Sequence, residues 1–427
     1  MSAARWKPRD KKMKLADVSR ARFRAGMCLL AGMVLAGAMG AATRVGRITE
    51  RARQLHFSSI VIDTHDDTTQ RFLDGEFDLG ARNALGSIDI PRMKVGGLGA
   101  IFFSIWIPSK ITGPEAVKRG RAQIDAVREQ VRKHSDDLAL ATTADGIREA
   151  HKQGKIAALI GIEGGHLIAG DLDVLRAYAA LGARYMTLTH SGNAEWADSS
   201  TAKPEHNGLT EFGKDVVREM NRLGMMVDIS HVSDKTFADV LEISEAPVFA
   251  SHSDCRAICD APRNMSDDMI RALAAKGGVI QINYHVGFLS QDFRNAEKAH
   301  PEWDQAIALE VQKRCRDREG CQLIEGDRIT REYVLRGDLP RVEWTKIIEH
   351  IDHAVKVAGI DHVGLGSDFD GANMPFGMED ATKLPQITNA LLEKGYSERD
   401  VKKILGENTL RLMAEVERIS RELNAGK

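Results

Sequence analysis

Eight short, almost unbroken apolar runs punctuate this chain, at 58–65, 97–107, 155–165, 183–190, 225–231, 246–252, 277–284 and 362–369. Continuous rather than alternating hydrophobicity suits strands of a parallel sheet covered on both faces. Between the runs, stretches such as 209–223, 233–243 and 266–275 carry spaced apolar residues with Thr or Ser near their starts, which predicts helices. Eight strand–helix alternations predict an α/β chain closed into a (β/α)8 TIM-like barrel. An open doubly wound sheet fits the same pattern, because the spatial order of strands is not visible in a sequence. A length of 427 residues suits one such barrel with insertions. The interval 285–341 is too long for a simple connection and predicts an insertion between strands 7 and 8, over the barrel mouth. The segment 397–423 reads as helical.

Polar residues fall on these runs in a telling place. His65 and Asp67, Glu163, His190, His231, His252 and Asp368 sit at the C-terminal ends of six different runs. In a parallel barrel those ends meet on one face, where barrel active sites are built. Any one of them alone reads as an ordinary packed or surface residue; their joint position carries the argument. His65 and Asp67 lie two apart, on the same side of an extended strand. Glu163 is followed by Gly164 and Gly165, which leave room around a carboxylate whose two oxygens can bridge two cations. His231 and His252 add neutral imidazoles, ligands that suit zinc. Without cations, clustered carboxylates would repel one another, so the acidic strand ends call for metal.

Several segments, in order, resemble the membrane dipeptidase (renal dipeptidase) family of metal-dependent amidohydrolases. They are IDTHDD at 62–67, IGIEGGH at 160–166, RYMTLTHSGNAEWADSS at 184–200, DISHVS at 228–233, APVFASHS at 246–253, RN at 263–264 and GLGSDFDG at 364–371. The resemblance covers nearly everything after about residue 55. It implies a distorted (β/α)8 barrel with two Zn2+ ions per chain, His65 and Asp67 on one, His231 and His252 on the other, and Glu163 bridging. It further implies that His190 contacts the scissile carbonyl, that Arg263 holds the substrate's terminal carboxylate, and that Asp368 transfers protons. The resemblance assigns that role to Asp368 and not to Asp370, two residues further on.

The chemistry of these side chains agrees. A metal-bridging hydroxide, formed near neutral pH, would attack the peptide carbonyl. His190 would donate to the oxyanion, Asp368 would carry the proton to the leaving amine, and the Arg263 fork matches a carboxylate. The implied substrates are dipeptides, including some with a C-terminal D-residue. The alternatives are N-acyl amino acids or β-lactams, and, outside catalysis, a silent metal- or peptide-binding protein. Family relatives include homodimers, so a homodimer is an implied assembly.

Departures from the family pattern include Thr64, Asp66 and the Ala194-Glu195 pair before Trp196. Glu195 is expected near the substrate's amino end, where it would favour basic side chains. His166, Trp196 and Asp198 read as pocket-shaping or packing residues, Trp106 and Tyr284 as barrel packing or lining of the mouth, His350, His353 and His362 as surface or packing residues, and 314–319 as a solvated face.

The net charge of −2 gives no basic field for nucleic acid, and the basic excess is local: residues 1–42 hold nine Lys and Arg against two Asp and Glu. A cationic stretch ending at Arg24 precedes an uncharged run at 25–43, the form of an export signal. Residues 1–43 are therefore expected to be a signal peptide or a membrane anchor through 25–43, and 44–427 the barrel, in a periplasmic or other extracytoplasmic location. Cys28 lies in that segment. Cys255, Cys259, Cys315 and Cys321 permit three disulfide pairings or free thiols, and no Cys-x-x-Cys suggests a thiolate metal site.

Overall fold

A computed structural model describes residues 48–73 and 77–425; the expected signal or anchor at 1–43 lies outside the described residues. Its nine strands are β1 (Val61–Asp66), β2 (Leu98–Trp106), β3 (Leu138–Leu140), β4 (Ile156–Glu163), β5 (Ala183–Thr187), β6 (Met226–Asp228), β7 (Phe249–Ser253), β8 (Val279–Ile282) and β9 (Val363–Leu365). Eight pair in the order β1-β2-β4-β5-β6-β7-β8-β9, all parallel, and β3 adds to β4 off this path. The sheet nearly closes through one bridge between Asp66 and Phe369. There the Asp67 amide donates to the Phe369 carbonyl at 2.9 Å and the Asp368 amide to the His65 carbonyl at 3.1 Å. The architecture is the (β/α)8 TIM-like barrel, not the open doubly wound sheet. All eight expected strands are present; β3 is an addition the sequence pattern did not announce.

The helices start where Ser and Thr allow it. Thr210, Ser233 and Ser266 precede the helices Glu211–Leu223, Asp234–Ile243 and Asp267–Ala275, and each side chain accepts a hydrogen bond from a first-turn amide. Alternation along the strands divides the core. Ile101, Phe103, Ala158, Ile160 and Ile162 join the layer between sheet and helices, while Ile62, Phe102, Leu159, Tyr185 and Phe249 form a second cluster. Leu410, Met413 and Val416 of the helix Asn408–Ala425 belong to that second cluster and close one end of the barrel interior.

The insertion after β8 is helical: Val286–Leu289, Gln291–Ala299, Pro301–Cys315 and Glu319–Arg336. Cys315 and Cys321 form a disulfide across the turn joining the last two, whereas Cys255 and Cys259 are buried free thiols. No helix among the described residues is long and apolar enough to cross a membrane.

Candidate active site

Each expected site residue reaches the same end of the barrel, by different local means. Along β1, Ile62 and Thr64 follow the interior face, and the Thr64 hydroxyl donates across to the Ser251 carbonyl at 2.6 Å. Strict alternation would then turn His65 outward. The pairing with β2 slips between Asp63 and Asp66, and this irregularity re-aims His65 and Asp67 toward Glu163. His231 and Asp368 lie beyond the ends of β6 and β9 and adopt φ of 66° and 63°, a left-handed conformation that non-glycine residues rarely hold. That geometry cuts both strands short of their expected ends and turns the two side chains inward.

Glu163 is the centre of the cluster. His231 Nε2 stands 3.1 Å, His252 Nε2 3.4 Å and His190 Nε2 3.6 Å from its Oε1, and His65 Nε2 lies 3.4 Å from its Oε2. His65 Nε2 is 3.6 Å from Asp67 Oδ2. Donor atoms converge in three overlapping groups: His65, Glu163 and His252; Glu163, His190 and His231; His65, Asp67 and Asp368. Asp370 turns away, accepting from Thr68 Oγ1 at 2.8 Å and facing Arg71 at 3.5 Å. Gly371 leaves free the space between Asp67 and Asp368, where any Cβ would strike both carboxylates.

The charges in this pocket are unstable by themselves. Burial, with Glu163 nearby, pushes the Asp67 carboxyl up to about 7. Burial and the neighbouring His65 push His252 down to about 4, and burial holds His231 well below the usual imidazole range. Glu163 goes the other way: burial would raise it, but His65 and His190 and the hydrogen bonds from His231 and His252 keep it well below the carboxylate range. The buried His65 Nε2 has no hydrogen-bond partner, and His231 Nε2 and His252 Nε2 face each other at 2.9 Å. The His231 and His252 imidazoles, held neutral and aimed at one another and at Glu163, join His65 and the carboxylates in a mixed nitrogen and oxygen donor set that fits divalent metal of the zinc type.

A second layer orients these donors. Tyr185 Oη lies 2.9 Å from His65 Nδ1, so a proton on Nδ1 leaves Nε2 as the free lone pair. Any Cβ at Gly161 would collide with the Tyr185 ring. His252 Nδ1 meets Ser251 Oγ at 2.7 Å, and Ser251 Oγ donates to Asp228 Oδ2 at 2.6 Å. Ser104 donates to Glu163 at 3.1 Å and Asn283 to Asp368 at 3.0 Å. Sequence reading missed these partners. Tyr185 and Asn283 stand on or beside predicted strands, and nothing in the pattern separates a supporting hydroxyl or amide from a packed one.

Arg263 completes the site from the opposite wall. It is 6% exposed, donates to the His252 carbonyl at 3.1 Å, stacks 5.3 Å over Phe288, and has no carboxylate within ion-pair distance among the described residues. A cavity of about 200 Å³ is lined by Asp67, Glu163, His190, His231, Arg263 and Asp368, together with Trp106, His285 and Phe288. Trp106 thus lines the cavity instead of only packing the barrel, because it ends β2 level with Glu163. Tyr284 is fully buried edge-on to Phe369, as packing requires. Trp196 packs on Phe212, His166 bonds the Ile107 carbonyl, and Asp198 accepts from the amides of Glu205, His206 and Gly208. His350 is buried against Cys255 and Leu289, while His353 pairs with Asp267. Glu195 corrects an expectation: its exposed carboxylate lies over Gly170 and does not line the cavity.

A (β/α)8 barrel whose C-terminal strand ends bring together side chains able to hold metal has the frame of a metal-dependent hydrolase. The family profile for membrane dipeptidase (peptidase family M19) matches residues 49–427, and this chain belongs to that family. It is a metallo-dipeptidase. Dipeptidase 3 of Mus musculus is 32% identical over 392 residues, spanning 89% of this chain and 69% of the relative. The probable dipeptidase PvdM from Pseudomonas aeruginosa superposes with a TM-score of 0.72 at 26% identity, covering 87% of this chain and 98% of that one. A metallo peptidase from Rhodobacter sphaeroides, liganded with a phosphinate mimic of the dipeptide L-Ala-D-Ala, gives a TM-score of 0.69 at 26% identity over 84% of this chain and 99% of that one.

Proposed function

We propose that this enzyme hydrolyses the single peptide bond of dipeptides, including those with a C-terminal D-residue, with two zinc ions per chain. The observation that carries this reading is the convergence of His65, His231 and His252 on the two oxygens of Glu163, with Asp67 beside His65, facing an Arg263 that has no anionic partner among the described residues. His65 and Asp67 would hold one ion and His231 and His252 the other, with Glu163 between them. When bound, such ions supply Lewis acidity, polarising a carbonyl and making water acidic near neutral pH. Arg263 binds the substrate carboxylate through a planar fork and fixes the scissile bond over Glu163. His190, 18% exposed at the side chain, donates to the carbonyl oxygen as negative charge develops. Asp368, held by Asn283, takes the proton from the attacking water and delivers it to the leaving amine.

The likeness to a relative that binds an L-Ala-D-Ala mimic supports acceptance of D-residues. The export-like segment at 25–43 supports a site of action outside the cytoplasm. The test is elemental analysis of the purified protein together with hydrolysis of a panel of dipeptides and N-acyl amino acids. Two divalent ions per chain and activity highest on dipeptides, lost on chelation, are expected. Activity on N-acyl amino acids exceeding that on every dipeptide would refute the substrate assignment.

A further inference from the structure

Beside the reaction cavity lies a larger chamber of about 580 Å³, and Trp106 and Leu323 line both. Trp106 ends β2, while Arg263 follows β7, four places away in the eight-strand order and therefore on the far side of the barrel. A dipeptide whose carboxylate is held by Arg263 must point its amino-terminal residue across Glu163, toward Trp106 and this chamber. The Trp106 indole N–H stands at the shared wall, buried and without a hydrogen-bond partner.

The charges around the chamber are not balanced. Arg119 is committed to Glu115 at 3.2 Å and Glu319 at 3.3 Å. Lys110 and Arg318, which also line the chamber, have no carboxylate within ion-pair distance among the described residues; Asp317 is the one lining carboxylate in the same condition. Two uncompensated cations therefore face one uncompensated anion. Arg318 and Leu323 come from the helical insertion after β8, so this wall is added to the barrel and is not part of its common frame.

Building on the dipeptidase reading, we propose that this chamber receives the side chain of the substrate's amino-terminal residue and selects acidic ones through Lys110 and Arg318. This reverses the preference that Glu195 suggested. An acidic side chain gains attraction from both cations, a basic one meets repulsion, and an uncharged isostere such as glutamine gains neither.

The test compares kcat/KM for Glu-Ala, Gln-Ala, Lys-Ala and Ala-Ala using the metal-loaded enzyme and the Lys110→Glu/Arg318→Glu double variant. Both positions are exposed, so the variant is expected to fold. Glu-Ala should exceed Gln-Ala by about tenfold in the parent enzyme, and that ratio should fall below one in the variant. Lys-Ala should rise while Ala-Ala stays within about twofold of the parent, as expected of charges acting on the side chain alone. Cleavage of Ala-Ala with no advantage for Glu-Ala overturns the proposal and leaves the dipeptidase reading intact. An advantage that survives the double substitution overturns the assignment to these two cations. Cleavage of none of the four by the metal-loaded enzyme overturns the dipeptidase reading and this proposal with it.

Discussion

Replacing Arg263 gives the sharpest test of how substrate is held. Its guanidinium is nearly buried, anchored by the His252 carbonyl at 3.1 Å and Ser253 Oγ at 3.5 Å, and no protein carboxylate competes for it among the described residues. A substrate carboxylate therefore meets a pre-positioned fork and forms two charge-assisted hydrogen bonds, each contributing roughly 1.5–3 kcal/mol. Arg263→Lys keeps the charge but not the fork, so a loss of about 2 kcal/mol, roughly thirtyfold in kcat/KM, is expected. Arg263→Met removes both bonds and leaves the carboxylate without a partner in the cavity, which costs about 4 kcal/mol or roughly a thousandfold. The assay measures kcat/KM for Ala-Ala and for its C-terminal amide in all three proteins. The parent should strongly prefer the free acid and Arg263→Met should barely distinguish the two. If the acid-to-amide ratio in the methionine variant equals that of the parent, while metal content and melting temperature are unchanged, Arg263 does not hold the carboxylate.

Three other outcomes follow from named contacts. Asp368→Asn should lower kcat by at least about a hundredfold with metal content retained, read by elemental analysis alongside kinetics; an unchanged rate removes Asp368 from the proton path. Ser251→Ala cuts the link between His252 Nδ1 and Asp228, and metal affinity measured by chelator competition should fall roughly ten- to a hundredfold. His56, remote from these ligands in the fold, is enclosed between Thr388 Oγ1 and the Gly96 carbonyl, and burial lowers it to about 4. The unfolded chain binds this proton near pH 6.5, so the contribution is complete above that pH and is lost as pH falls toward 4; about 2 kcal/mol should be gone at pH 5. His56→Gln should remove that part of the acid sensitivity in denaturant unfolding at pH 7 and 5, and an unaltered pH dependence would count against burial as its cause.

The frame of this enzyme was legible because burial on two faces forces parallel strands into continuous apolar runs, and because strand ends in a closed barrel must share a face. That logic located the seven strand-end residues brought together here. It did not locate β3, whose three residues Leu138–Leu140 carry too little pattern to stand out from the preceding helix. It overextended the strands at 225–231 and 362–369, because a left-handed turn at His231 or Asp368 leaves no mark in hydrophobicity. The slip in β1 that turns His65 inward is equally silent, since pairing register depends on the neighbouring strand. Cysteine pairing was open for a similar reason: Cys315 and Cys321 meet because two insertion helices turn back on each other, which spacing alone does not dictate. Trp106 was open between packing and the mouth because a large aromatic at a strand end looks the same whether its outer face meets a helix or a void.

The single bridge between Asp66 and Phe369 gives the metal site a second consequence. Here the earliest strand meets the latest, with one ladder contact where β2 and β4, or β7 and β8, have several. His65 and Asp67 project from one lip of this seam and Asp368 from the other. A cation held by His65 and Asp67 would also attract the Asp368 carboxylate across the seam, so its binding would resist parting of the barrel wall. Demetallation should accordingly raise amide hydrogen exchange first along 61–67 and 363–369, before the rest of the sheet loosens.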